Sequence, residues 1–290
     1  MLKKIFKWIL FTVSGIIALA LLFYAFVYLR TEARINKVYD VKLQTLVIPT
    51  DSASYLNGKH IAENRGCMGC HGGNLAGGRA FLDTLSPVGV LYAANITPGE
   101  GGIHYTDADW IRALRHGLRK DNKPLWFMPS HEIYQLSNQE MASLIGYVKQ
   151  QPAVDNSVPA HSLKPLGRLL TFLNKFPLFP AEIIDHQAAY KEHVDPAVTA
   201  EYGGYLATSC KGCHGLNFKG GPPNSPVEPP IPDISSTGHP GKWKDTDLLT
   251  VFHTGKTPEG KQLSIYMPWK DFTYTDDEIK AIYLYLHQTP

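Results

Sequence analysis

Four cysteines in 290 residues fall into two copies of one pentapeptide, Cys67-Met68-Gly69-Cys70-His71 and Cys210-Lys211-Gly212-Cys213-His214, set 143 residues apart. Two thiols three positions apart share one turn of helix, and the imidazole follows directly on the second. A disulfide framework leaves both histidines without a role. A zinc half-site or a redox dithiol suits a single C-x-x-C better than two copies that both end in histidine.

The same spacing is that of covalent c-type haem attachment, in which each thiol adds to a haem vinyl group as a thioether. The adjoining imidazole then reaches the iron from below the macrocycle. The sequence therefore predicts two covalently bound haem c groups, one on Cys67 and Cys70 and one on Cys210 and Cys213. His71 and His214 are the expected proximal iron ligands.

The two motifs head two copies of one domain. Tyr55-Leu56-Asn57-Gly58 precedes the first and Tyr202-Gly203-Gly204-Tyr205-Leu206 the second, each predicting a helix that delivers the cysteines. Glycine-rich turns follow at 72–78 and 215–221, where backbone can pass close to a flat macrocycle. Farther on, Tyr105–Trp110 matches Trp243–Leu248 without a gap, and each opens an amphipathic helix ending near Gly117 or Gly255. Ser137-Asn138-Gln139-Glu140 and Thr275-Asp276-Asp277-Glu278 are capping-box patterns that start a last helix in each copy. Between these helices lie Met128-Pro129 and Met267-Pro268, 61 and 57 residues after the first cysteine of each motif.

A methionine sulfur from a loop on the far side of each haem fills the iron, leaves no position for substrate and raises the reduction potential. Met128 and Met267 are the expected sixth ligands, against the reading of a core methionine filling a gap. His116, His131, His239 and His253 compete as imidazole ligands, but none aligns with a histidine in the other copy. Trp126, Phe127, Tyr266 and Trp269 flank the methionine loops as candidate walls of the haem sites. Asn95-Ile96-Thr97-Pro98, Asp233-Ile234, Arg79 and Arg112 are weaker candidates for haem propionate contacts, each with a plain turn or surface role as its alternative.

From Trp8 to Leu29 the chain runs 22 residues without a charge, long enough as a helix to cross a bilayer core. Ala18-Leu19-Ala20 also fits a signal-peptide cleavage site, yet cleavage there would leave an apolar new terminus, so an uncleaved anchor is expected. Lys3, Lys4 and Lys7 before the span nearly balance Arg30, Arg34 and Lys37 after it, so charge does not orient it. Covalent haem attachment takes place outside the cytoplasm, which puts the haem domains on the periplasmic side of an inner membrane crossed once. The formal net charge of +2 originates in this segment, since the first 34 residues hold five Lys/Arg against Glu32. The remainder carries 23 basic against 25 acidic residues, so nucleic-acid binding has no compositional support.

These readings give an all-α chain: an N-terminal transmembrane helix (1–34), a first helical haem domain (50–152), a connector (153–196) and a second haem domain (197–290). The connector is rich in leucine and phenylalanine between Leu166 and Phe179, broken by Pro165, Pro177 and Pro180. Packing across both haem domains is its expected role, with a membrane-surface or partner-docking patch as the alternative.

With Cys67–His71, Cys210–His214, both Met-Pro loops and Asn95–Pro98 in view, the chain resembles membrane-anchored class I dihaem cytochromes c. It looks especially like the cytochrome subunits of bacterial membrane-bound alcohol and sugar-acid dehydrogenases. Those subunits typically carry three haem domains where this chain has two. The resemblance implies thioethers at Cys67, Cys70, Cys210 and Cys213, proximal His71 and His214, and distal Met128 and Met267. It also implies single-electron transfer from a dehydrogenase or quinol-oxidising partner to a terminal oxidase or soluble cytochrome, with no substrate chemistry in this polypeptide alone. The alternative is a dihaem enzyme of peroxidase or thiosulfate-oxidising type with one open or switchable haem, which His131, three residues beyond Met128, keeps in play.

Overall fold

A computed structural model describes residues 2–223 and 228–290. The N-terminal apolar run forms one long helix, α1 (Leu2–Ile35), whose side chains stand exposed over most of its length. It is long and apolar enough to cross a membrane.

Each copy of the repeat is built around two crossing helices. In the first, α2 (Ser52–Asn64) packs against α6 (Asn138–Lys149), with α3 (Cys67–His71), α4 (Asp107–His116) and α5 (Ser130–Ile133) between them in sequence. After α7 (Pro165–Phe172) in the connector, the second copy packs α8 (Ala200–Leu206) against α11 (Asp276–Gln288), enclosing α9 (Lys211–His214) and α10 (Asp245–Thr254).

Both predicted capping boxes form: Ser137 and Glu140 satisfy each other's backbone N–H at the start of α6, and Thr275 and Glu278 do so at α11. Helices α4 and α10 end on Gly117 and Gly255 at φ 64° and 68°, as the sequence predicts.

Close approach at each crossing requires glycine. A Cβ on Gly58 would lie 2.1 Å from Ser143 O, and one on Gly203 would lie 1.8 Å from Ala281 O. Those obstacles are backbone, so neither can swing aside. Gly203→Ala is therefore expected to destabilise the second domain by about 2 kcal/mol, the scale of core overpacking, measurable as a fall in its thermal midpoint.

Among the described residues, the strands lie in one small sheet. Strands β1 (Ala80–Leu82) and β2 (Gly89–Tyr92) form a hairpin, and β3 (Ser162–Leu163) from the connector pairs with β2. This small antiparallel sheet occupies the stretch where the first copy is longer than the second.

The connector departs from expectation. It does not bridge the two haem domains with its apolar stretch; that stretch packs on α1 and the first copy. Gly167 sits so close to Val88 O that a Cβ would lie 2.0 Å away, while Phe172 meets Phe23 and Phe26 edge-on at 6.4 and 5.7 Å. Arg34 grips Glu182 through both carboxylate oxygens, and Arg168 pairs with Glu32 at 2.6 Å. The physical reason is that α1 carries aromatics and charges of its own, Phe23, Phe26, Glu32 and Arg34, that the connector's apolar and charged side chains can meet.

The two copies instead meet directly, through an arrangement close to twofold in its parts. The end of α2 reaches the start of α11: Thr273 N donates to Asn64 Oδ1 at 2.9 Å, and His60 Nε2 donates to Glu278 at 3.0 Å. Conversely, Tyr205 of α8 reaches the start of α6, accepting from Ser137 N at 2.8 Å and donating to Glu140. Arg65 lies over the Tyr205 ring and donates to Ser209 Oγ at 3.0 Å and to the Tyr205 and Leu206 carbonyls.

The candidate haem sites

Each pentapeptide forms a single helical turn, α3 or α9, closed by Gly72 or Gly215, both at φ 79°. In both copies the backbone then repeats bond for bond. Gly77 N donates to His71 O and Gly220 N to His214 O; Leu75 N donates to Gly72 O and Phe218 N to Gly215 O; Ile96 N donates to Leu75 O and Ile234 N to Phe218 O. Leu75 and Phe218 hold left-handed backbone at φ 56° and 61° while fully buried, a strained conformation kept in both copies by burial and these bonds.

The histidines are held for one task. His71 Nδ1–H donates to Ala94 O at 2.7 Å, and His214 Nδ1–H donates to Pro232 O at 2.9 Å. Each bond fixes the tautomer that leaves Nε2 with a free lone pair. Burial pushes both imidazoles below their usual range, so they stay neutral and able to ligate. All four cysteines are free of disulfides. Burial pushes the Cys67 thiol up to about 12 and Cys210 up to about 11. Two neutral thiols and a tautomer-fixed imidazole on one turn fit covalent haem.

Met128 and Met267 occupy corresponding turns, both half-buried. Ser130 N donates to Met128 O at 2.7 Å, and Trp269 N donates to Met267 O at 2.8 Å. Met128 borders the same core as Cys67, beside Ile61, Trp110, Leu114 and Ile145. The flanking aromatics differ between copies. Phe127 stacks on Phe176 and tilts against Phe81, and Trp126 stacks on His161, so the first loop is braced by the connector. Trp269 lies against Gly255, where a Cβ would be 2.2 Å from its ring, and Tyr266 is 47% exposed.

Two of the four competing histidines, His116 and His253, are hydrogen-bonded to other residues, whereas His131 Nδ1 is buried with no partner among the described residues. His116 is buried, and its Nδ1 donates to His186 Nδ1 at 3.1 Å while His186 Nε2 donates to Ala181 O. Burial and the neighbouring His186 hold His116 down at about 4. His253 pairs with Asp276 at 2.9 Å on the surface. His131 stands 3.7 Å from Glu132, and its counterpart in the second copy is Lys270.

The propionate candidates are largely committed elsewhere. Asn95 is fully buried, donating to Val154 O at 2.7 Å and accepting from Thr97, so it ties residues 154–156 to the first domain. Asp233 accepts from Ser235 and Thr237 within its own turn, and Arg112 pairs with Asp109 at 2.6 Å. Arg79 donates to Gly69 O inside the first motif.

Sequence reasoning missed what lies between the motifs. Glu132, four residues after Met128, faces Gly212 inside the second pentapeptide; a Cβ there would be 2.4 Å from its Oε1. Burial pushes its carboxyl up to about 7, with Arg65 pulling the other way. Arg115 was also missed. It is fully buried under the Tyr190 ring, 3.9 Å from the centroid, and its guanidinium caps Tyr134 O and Leu136 O and meets Asn138 Oδ1 at 3.1 Å. Its signal was present: a charge on the apolar face of α4, one position from Leu114.

The interdomain ion pair gives a pH dependence. The hydrogen bond that His60 donates to Glu278 raises the imidazole above its usual 6.5, and burial only partly opposes it. Burial alone would lift Glu278, but the His60 bond and Thr275 together hold it below 4.5. Stability from His60 is thus complete below pH 6.5 and lost as pH rises through its folded value. That from Glu278 is complete above pH 4.5 and lost as pH falls through its folded value. His60→Ala should therefore cost most, about 1 kcal/mol, between those limits and much less near pH ~9, read as the gap in thermal midpoint from the unaltered protein.

Helical domains wrapped around paired thiols and a neutral imidazole define a c-type cytochrome, and the chain belongs to the cytochrome c family, whose pattern it matches at residues 55–152 and 201–290. Domains of this family carry covalently bound haem c and transfer electrons. Among relatives, the chain is 29% identical over 283 residues to the cytochrome c subunit of a quinone alcohol dehydrogenase from Gluconacetobacter polyoxogenes, covering 83% of this chain and 57% of that one. A subunit of the same description from Gluconobacter oxydans (strain 621H) is 29% identical over 269 residues, covering 83% and 55%. The fructose dehydrogenase cytochrome subunit of Gluconobacter japonicus is 28% identical over 272 residues, covering 82% and 53%. The chain thus spans about half the length of the curated relatives it matches.

Proposed function

We propose that this chain is a membrane-anchored dihaem cytochrome c that passes single electrons from a dehydrogenase or quinol-oxidising partner to a terminal oxidase or soluble cytochrome. The observation that carries this reading is the contact between the two candidate sites: α5, directly after Met128, packs against residues 207–210, and Glu132 faces Gly212. Two redox centres held in one rigid unit remove a diffusional encounter between donor and acceptor. The likeness to dehydrogenase cytochrome subunits supports a dehydrogenase as donor.

Haem bound at each site supplies a reversible one-electron change at iron. The chain's residues do the remainder. Cys67, Cys70, Cys210 and Cys213 would hold the groups by thioethers, and His71 and His214 present Nε2 in a fixed orientation. Met128 and Met267 would supply sulfur ligands, and the buried cores behind Cys67 and Cys210 would exclude water. The helix α1 keeps both domains at the periplasmic face of the inner membrane, near membrane-bound donors.

Ferric spectra of the purified full chain test the reading. Two methionine-to-iron charge-transfer signals are expected. A high-spin haem that takes up cyanide or peroxide readily would instead mark a dihaem enzyme.

A further inference from the structure

Among the described residues, the apolar stripe on α7 joins neither haem-domain core. Gly167 and Thr171 are buried against the first domain and α1, and Arg168 and Phe172 also turn toward α1. Leu166, Leu169, Leu170 and Leu173 recur at i, i+3, i+4 and i+7, so they form one stripe on the opposite side. Leu166 is 42% and Leu173 50% exposed, and among the described residues none of the four joins a core cluster.

The depth of this stripe follows from α1. Phe172 packs on Phe23 and Phe26, which belong to the uncharged run ending at Leu29. At the helical rise, those rings lie about 9 and 5 Å inside the end of that run. A helix docked at that level, with Leu166 and Leu173 exposed and Leu169 and Leu170 half-buried between them, meets acyl chains. Charges rim it at headgroup height: Arg168 on Glu32, Arg34 on Glu182, and exposed Lys175 beyond the C-terminal end.

We infer that α7 is a second membrane contact, an interfacial helix whose Leu166–Leu173 stripe sinks into the leaflet on the haem side of the membrane; the inference rests on α1 spanning it. The segment that follows α7 braces the first methionine loop. Phe127 N donates to Leu178 O at 2.8 Å, and Phe127 stacks on Phe176. Lipid contact at α7 therefore fixes the height and tilt of the first haem domain, which a single flexible tether would leave free.

The test uses the full haem-loaded chain in phosphatidylcholine vesicles, with a nitroxide at Leu173→Cys and the iron reduced. With the native cysteines held in thioethers, the introduced one is the free thiol. Labels at Leu19→Cys in α1 and at Val47→Cys, a 90% exposed position, calibrate lipid and water. The expected result is a ratio of oxygen to nickel-chelate collisions at Leu173 several-fold above that at Val47 and close to that at Leu19. A Leu173 label as nickel-accessible as Val47, with Leu19 in lipid, would overturn the inference and leave the anchor standing. Water at both Leu19 and Leu173 would overturn the anchor and the inference together. Leu166→Cys supplies the same readings should Leu173→Cys fail to assemble haem.

Discussion

Met128→Ala is expected to yield a protein that keeps both covalent haems, loses one methionine-to-iron charge-transfer signal and gains a high-spin, ligand-accessible iron. The potential of that haem should fall by on the order of 0.2 V, a fraction of the roughly 0.8 V that axial ligands span. The loop itself should survive the change. It is held through backbone: Met128 N donates to Trp126 O at 2.8 Å, Phe127 N to Leu178 O at 2.8 Å and Ser130 N to Met128 O at 2.7 Å. Truncating the side chain therefore removes the sulfur without moving the turn. Met267→Ala should act in the same way on the other haem alone, because Trp269 N still anchors residue 267. Unchanged spectra in both variants would refute the methionine assignment.

Replacing Cys210 and Cys213 together by alanine is expected to remove one haem from the protein and to unfold the second domain while the first stays folded. The second core gathers around Leu206, Phe218, Leu248, Ile279 and Ile282, and Cys210 packs at its edge. The strained backbone at Phe218 is tolerable only while that core is closed around it. Without the covalent group the domain loses the centre it folds about, a cost comparable to removing a structural metal and larger than about 3 kcal/mol. Limited proteolysis should then cut at Lys219 and Lys242, with residues 50–152 still protected. The contacts of Arg65 with Ser209 and of His60 with Glu278 should weaken as well, lowering the midpoint of the first domain slightly.

Much of this architecture was legible because haem attachment constrains residues at short, fixed spacings. The pentapeptides, the capping boxes at Ser137 and Thr275 and the C-terminal glycines at 117 and 255 are local signals, and the capping boxes and glycines formed as the sequence predicts. The duplicated pattern exposed them twice, which separated the matched Met128 and Met267 from unmatched histidines. What escaped depends on distant partners. The sheet needs Val90 to meet Ser162, and a two-residue strand leaves no periodic trace. His116 reads as a candidate ligand until His186, seventy residues on, is seen to occupy it. The connector's leucines and phenylalanines announce an apolar surface, but only the position of Phe172 against Phe23 and Phe26 shows that α1 is its neighbour. Glu132 gives no sequence signal at all, since its place between the motifs follows from how the copies dock.

The central claim is that one chain carries two equivalent one-electron centres. A potentiometric titration of the intact protein, with the haem content measured on the same sample, tests it most directly. Two covalent haems per chain, each titrating as a one-electron step at a potential typical of histidine–methionine ligation, is the result this account predicts. A single haem per chain, or one centre titrating far lower than the other and binding cyanide in the ferric state, would contradict it.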